Sequence, residues 1–143
     1  KIIFLGNGAS ASISSHLAVD LTKAANIKSI NFNEPNLITC LANDFGHDNW
    51  MKQAIDFYAD KGDLIIFISS SGQSKNIVNS AKHAKKRKFK IVTFSGFKRT
   101  NPLNKLGIVN MWVNSKSYNI IENTHQAWLL SLVDFVIQNN KKQ

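Results

Sequence analysis

Leu64-Ile65-Ile66-Phe67-Ile68 sets five large apolar residues in unbroken succession, entered through Gly62-Asp63 and left through Ser69-Ser70-Ser71-Gly72. The run is far shorter than the roughly 20 apolar residues that cross a bilayer. With no polar residue at alternate positions, it also has no face to offer water. Read as a strand over Asp63–Ser69, it must be covered on both sides. A parallel sheet held between two layers of helices does that.

The rest of the chain fits this frame. Lys1–Leu5 reads as a second apolar strand, Lys28–Phe32 as a short one, and Lys90–Phe94 and Val109–Val113 as two more. Helices are expected from Ala9 to about Ala25, then over Asn36–Asn43, Trp50–Ala59, Asn76–Lys86 and Asn119–Gln138. In the third of these, Trp50, Ala54, Phe57 and Tyr58 recur at helical spacing. Ser95–Lys105, with Gly96 and Pro102, reads as a loop. No repeat, low-complexity tract or linker divides the 143 residues. The expectation is a single domain over 1–143, an α/β three-layer αβα sandwich around a parallel sheet of about five strands.

In such sheets ligands bind beyond the carboxyl ends of the strands, and two turns of this chain fall there. Gly6-Asn7-Gly8-Ala9-Ser10 has neither the third spaced glycine of a dinucleotide fingerprint nor the lysine of a P-loop, so no nucleotide cofactor is expected. Taken alone, it is a tight strand-to-helix connection. Ser69–Ser74 says more. It holds four serines around Gly72, whereas one hydroxyl suffices to cap a helix. The surplus hydroxyls, beside the amides of a helix beginning near Lys75, suit a phosphate monoester.

The net charge is +9, from 18 Lys and Arg against 9 Asp and Glu, and much of it lies in the run Lys82–Lys90. Cations are favourable in a helix's last turn, so the run reads as a solvated helix end. With no reader motif and no interleaved aromatics, nucleic acid is not an expected partner. Nor is a membrane, since no run approaches spanning length. Lys1–Leu5 leads straight into the glycine turn with no signal-peptide pattern, and the missing initiator Met points to a truncated chain. The single cysteine, Cys40, excludes an internal disulfide. Together these features predict a cytoplasmic location.

Taken in order, the Gly6–Ser10 turn, the helix with His16 and Asp20, Asn43-Asp44-Phe45-Gly46, Gly62-Asp63 and Ile68–Ser74 resemble the SIS (sugar isomerase) domain, and within it the phosphoheptose isomerase family. The resemblance runs on to Glu122 and His125 in the last helix. It implies a flavodoxin-like SIS fold, a phosphorylated sugar as partner, and a homo-oligomer, dimer or tetramer, with sites at subunit contacts. Family members carry helices before the first strand that this sequence does not include. By the same resemblance Ser10, Ser69, Ser71 and Ser74 hold the phosphate, with Ser70 assisting and Gly8 among the binding residues. Asn7 and Asp44 contact sugar hydroxyls.

The family converts ketose to aldose phosphates through an enediol, which takes a carboxylate base and a second proton carrier. His16 and Asp20 stand at i, i+4 and Glu122 and His125 at i, i+3, so each pair shares a helix face. Asp20, Glu122 and His125 are the candidates for catalysis. His16, Asp20, Glu122 and His125 are the candidates for the zinc that several members hold. Plainer readings make Asp20 a surface acid and His125 a hydrogen-bonded core histidine. His47 is read as a loop histidine at the pocket edge, and Trp50, Phe57, Trp112 and Trp128 as packing residues. Three positions depart from the family pattern: Asp20 stands for Glu, Glu122 for Gln and Leu130 for His. Asn119 also replaces an acid. Leucine neither transfers a proton nor binds a metal, so two functions stay open. One is an isomerase of sedoheptulose 7-phosphate or a related sugar, serving lipopolysaccharide or capsule synthesis. The other is a non-catalytic member that senses phosphosugar or binds protein.

Overall fold

The computed structural model describes residues 1–140. In chain order the elements are β1 (Ile2–Gly6), α1 (Ala9–Ala24), β2 (Ser29–Asn31), α2 (Pro35–Phe45), α3 (Trp50–Tyr58), β3 (Leu64–Ser69), α4 (Lys75–Lys86), β4 (Lys90–Ser95), a 3-10 turn (Leu103–Lys105), β5 (Val109–Trp112) and α5 (Tyr118–Asn140). Every strand pairing is parallel, and the order across the sheet is β2-β1-β3-β4-β5. The five apolar residues of β3 lie at its centre, with Ile66 in register between Phe4 and Val92.

Alternate residues of these strands feed two cores. Ile3, Leu5, Ile65, Phe67 and Ile91 pack under α2, α3 and α4, against Leu41, Met51, Ile55 and Ile77. Phe4, Ile66, Ile68 and Phe94 face the other way, against Ile13, Leu17 and Leu21 of α1 and Leu129 and Val133 of α5. Each such side chain contributes about 1.5–3 kcal/mol by leaving water. Two cores on one sheet make the three-layer αβα sandwich. Among the described residues no helix is long and apolar enough to cross a membrane.

Local chemistry sets the helix ends. The Glu34 carboxylate accepts the Leu37 amide at 2.7 Å, Pro35 opens α2, and Gly46, at φ +79, stops it. In α3 the buried stripe is Trp50, Met51, Ala54 and Ile55. Phe57 and Tyr58, which share the predicted stripe with Trp50 and Ala54, are 58% and 50% exposed. Their rings instead meet Phe45 and Phe32, at centroid distances of 6.2 and 5.6 Å. The last turn of α3 therefore packs sideways, on the end of α2 and on the segment before it, rather than down onto the sheet.

The strand order reverses between β1 and β3, from which α1 and α4 leave to opposite faces of the sheet. Such a reversal opens a crevice at the carboxyl ends of the two strands. Both serine-bearing turns stand there.

Candidate functional site

A cleft of about 210 Å³ opens at this point. Its walls are Asn7, Gly8 and Ser10 from the first turn and Ser69, Ser70, Ser71 and Ser74 from the second, joined by Tyr118 and Glu122 of α5. The sequence thus located seven of the eight predicted phosphate and sugar residues in one hollow. The eighth, Asp44, lies exposed at the end of α2 beside Cys40 and Asn43 and is not part of the wall. His47 is exposed as well.

The backbone makes this cradle possible. Gly8 precedes α1 at φ +54, ψ −126, a conformation open to glycine and strained for other residues. Gly72 stands at φ +63 in the serine turn, pressed against the side chain of Asn101. The Asn101 side-chain nitrogen donates to Ser95 Oγ, Gly96 O and Lys98 O at 3.1, 3.2 and 2.9 Å, bracing the loop after β4, and the Leu103 amide ties that loop to the serine turn through Gly72 O at 3.2 Å. The Gly96 amide donates to Ser70 O at 2.8 Å. Across the cleft, the side-chain amides of Asn7 and Asn76 exchange reciprocal bonds of 3.0 and 3.1 Å, clamping the first turn to α4.

The electrostatics come from the backbone. α1, α4 and α5 all present their first turn to the cleft, through Ala9 and Ser10, Ser74, and Tyr118. Helix N-termini carry partial positive charge and unpaired N–H groups, and among the described residues no lysine or arginine lines the wall. Ser74 occupies the cap position of α4, yet its hydroxyl makes no capping bond, which leaves it free for a ligand. The Ser71 hydroxyl accepts the Gln73 amide at 3.2 Å and retains its own proton to donate.

A second hollow, of about 350 Å³, runs on from the cleft between α1 and α5 and shares Ala9 and Glu122 with it. His16, Asn119, Asn123, Gln126 and Leu130 line it. Glu122 therefore stands at the junction, its Oε1 accepting the Ser70 hydroxyl at 3.2 Å. His16 Nε2 lies 3.1 Å from Asp20 Oδ2, as the i, i+4 spacing predicts. His16 itself faces the groove, whereas Asp20 stands behind it.

His125 goes elsewhere. It is 0% exposed, lies edge-on to Phe94, and sets Nε2 3.2 Å from the Ser95 carbonyl oxygen. Its buried Nδ1 has no partner. Burial holds its pKa below the usual histidine range, the Ser95 bond opposing only in part. The structure thus brings His16 and Glu122 to one groove, holds Asp20 against His16, and leaves His125 in the core. Among the described residues no three His, Cys, Asp or Glu side chains gather as a metal-binding group. Of the four expected zinc donors, His125 therefore stands apart from His16, Asp20 and Glu122.

The sequence reading missed Tyr118, Asn76 and Asn101. Tyr118 carried a signal, one helical turn before Glu122 and so on the same face. The two asparagines carried none: Asn76 bonds to Asn7, 69 residues away, and Asn101, bonded within its own loop, meets the serine turn only by packing against Gly72.

Comparison with known proteins agrees with this geometry. A family model for the SIS domain matches residues 1–96. A phosphoheptose isomerase of Cytophaga hutchinsonii is 33% identical over 67% of this chain and 53% of its own length. One from Aliarcobacter butzleri is 31% identical over 87% of this chain and 69% of its own. The chain thus spans about half the length of the first of these relatives. Among solved structures, phosphoheptose isomerases of Neisseria gonorrhoeae and Francisella tularensis superpose with a TM-score of 0.86 each, at 23% and 22% identity. The overlays cover 95% and 96% of this chain and 76% of each neighbour, and they establish the fold. By its sequence match and its architecture alike, this chain belongs to the SIS domain family.

Proposed function

We propose that the serine cleft anchors the phosphate of a sugar phosphate and that the chain is a ketose–aldose phosphate isomerase of the phosphoheptose type. Its substrate would be sedoheptulose 7-phosphate or a related sugar, used in the cytoplasm for lipopolysaccharide or other surface polysaccharide, and its working form a homo-oligomer. The observation that carries this reading is the position of Glu122, a carboxylate at the junction of the anion cradle and a polar groove.

With the phosphate held by Ser10, Ser69, Ser71, Ser74 and the helix amides, the carbon chain extends along the groove between α1 and α5. Oε1 of Glu122 is steadied by Ser70, which leaves Oε2 to take the proton from the carbon beside the carbonyl. Electrons of that C–H bond form the enediol, and the acid then returns the proton to the neighbouring carbon. His16, backed by Asp20, is placed to carry the hydroxyl proton between the two oxygens.

One observation favours a second reading. Leu130 lines the groove where the family resemblance expects a histidine, and His125 is turned to Ser95. A groove with a leucine there fits a module that binds phosphosugar without converting it. Proton NMR of sedoheptulose 7-phosphate in deuterated water, with and without zinc, separates the two. Deuterium beside the carbonyl, or aldose product, supports the isomerase. Line broadening without exchange supports the binding module, and neither signal overturns both.

A further inference from the structure

The charge of this protein is segregated by its fold. Because every strand is parallel, all strand starts lie at one edge of the sheet, opposite the serine cleft. Lys1, Lys28, Lys61 and Lys90 stand at or just before four of those starts, and Lys105 just before the fifth. The ends of α1 and α4 come down to the same edge with Lys23, Lys85 and Lys86, followed by Arg87 and Lys88. Lys85 Nζ reaches the Lys105 carbonyl oxygen at 3.4 Å, which joins the two groups.

Against these ten cations the edge carries four carboxylates, Asp20, Asp56, Asp60 and Asp63, a net +6. All four are engaged, Asp20 by Lys23, Asp56 by His83 and Arg87 and the others by Lys1. Over the rest of the described chain six cations, Lys52, Lys75, Lys82, Lys98, Arg99 and Lys116, nearly balance five carboxylates, Glu34, Asp44, Asp48, Glu122 and Asp134. The charge is therefore not placed to draw substrate to the cleft. Taken alone, the run Lys82–Lys90 is a helix end. Folding merges it with the strand-start lysines into one cationic face.

That face has an apolar rim. Ile108 and Val109, where the chain enters β5, are 69% and 48% exposed, and the Ile108 amide bonds to Ile91 O at 2.8 Å beside Lys90. We infer that this edge docks the protein on an anionic lipid surface, with the lysines over the headgroups and Ile108 entering the interface. Docking of this kind needs no spanning helix, since clustered basic residues and a small apolar insertion act together. The occupant is lipid rather than nucleic acid for reasons visible in the face. Nine of the ten cations are lysines, and helix carboxyl ends, not phosphate-binding amino ends, arrive there. Phe89, the aromatic within the run, is half-buried under the Arg87 guanidinium, 5.5 Å from its ring centre, and offers no stacking platform. In this orientation the serine cleft faces away from the surface, open to soluble sugar.

Co-sedimentation of the protein with phosphatidylcholine vesicles, with and without about 30% phosphatidylglycerol, tests the inference. Binding is expected only to the anionic vesicles and is lost in about 0.5 M salt. The triple variant Lys86→Gln, Lys88→Gln, Lys105→Gln should bind on the order of a hundredfold more weakly. Ile108→Ser should weaken binding several-fold at unchanged charge. Both variants should keep the wild-type melting curve and phosphosugar affinity. No binding to anionic vesicles, or full binding by the triple variant, would overturn the inference. So would duplex DNA binding tighter than vesicle binding and indifferent to Ile108→Ser, which would assign the face to nucleic acid.

Discussion

Gly72→Ala tests how the serine turn is built. The residue sits at φ +63, where an L side chain costs about 1–2 kcal/mol. A methyl group there would also overlap the Asn101 carboxamide, which is 2% exposed and cannot swing into solvent. Displacing it breaks bonds to Ser95, Gly96 and Lys98 and the bond from the Asn104 amide, each worth about 0.5–1.5 kcal/mol net. If half of them are lost, Gly72→Ala costs about 2–5 kcal/mol in all. Asn101→Ala loses all four but creates room, so adding Gly72→Ala to it should cost only the backbone strain. Urea titrations of the wild type, both single variants and the double variant should therefore give a coupling energy of about 1–3 kcal/mol. Additivity within about 0.5 kcal/mol would refute the account, because the alanine methyl would then not be meeting Asn101.

Ser74→Ala should weaken phosphosugar binding about 10- to 150-fold by calorimetry while moving stability by less than about 0.5 kcal/mol, since the hydroxyl makes no capping bond. Unchanged affinity would remove Ser74 from the anion cradle. His125 binds its proton less readily folded than unfolded, so the unfolded state takes up more protons below the ordinary value of 6.5. Stability should be full above that pH and fall below it by up to about 1.4 kcal/mol per unit, until the folded pKa is reached, and His125→Gln should remove that slope. Asp56 acts in the same direction at lower pH. Burial pushes its carboxyl up, but the bonds from His83 and Arg87 outweigh that and hold it below 3.8. Its contribution is present above 3.8 and lost as pH falls through the folded value. Asp56→Asn should cost about 1 kcal/mol at neutral pH, the pairs being partly exposed, and should flatten this acid limb of the denaturation curve.

Much of the site was legible because its signals are local. Glycine and surplus serine after an apolar run mark a turn whose backbone a ligand can approach closely, and a parallel sheet places two such turns together at its carboxyl edge. The i, i+4 pairing of His16 with Asp20 follows from helix geometry alone. The orientation of His125 does not. Its spacing from Glu122 is compatible with the groove, yet the packing of α5 on Phe94 carries its ring into the core. Asp44, in the separate motif Asn43-Asp44-Phe45-Gly46, is held by its own helix, outside the wall.

The sequence by itself determined the class of the fold, the order of its elements and the two glycine- and serine-bearing turns, because each rests on residues adjacent in the chain. Tertiary structure alone decided that Glu122, 52 residues from Ser70, stands between the cradle and the groove. It also decided that Asn76 bonds the first turn and Asn101 packs on the second, and that lysines scattered from Lys1 to Lys105 become one cationic edge. These properties depend on which strands are neighbours and which way they run, and only the assembled sheet fixes both.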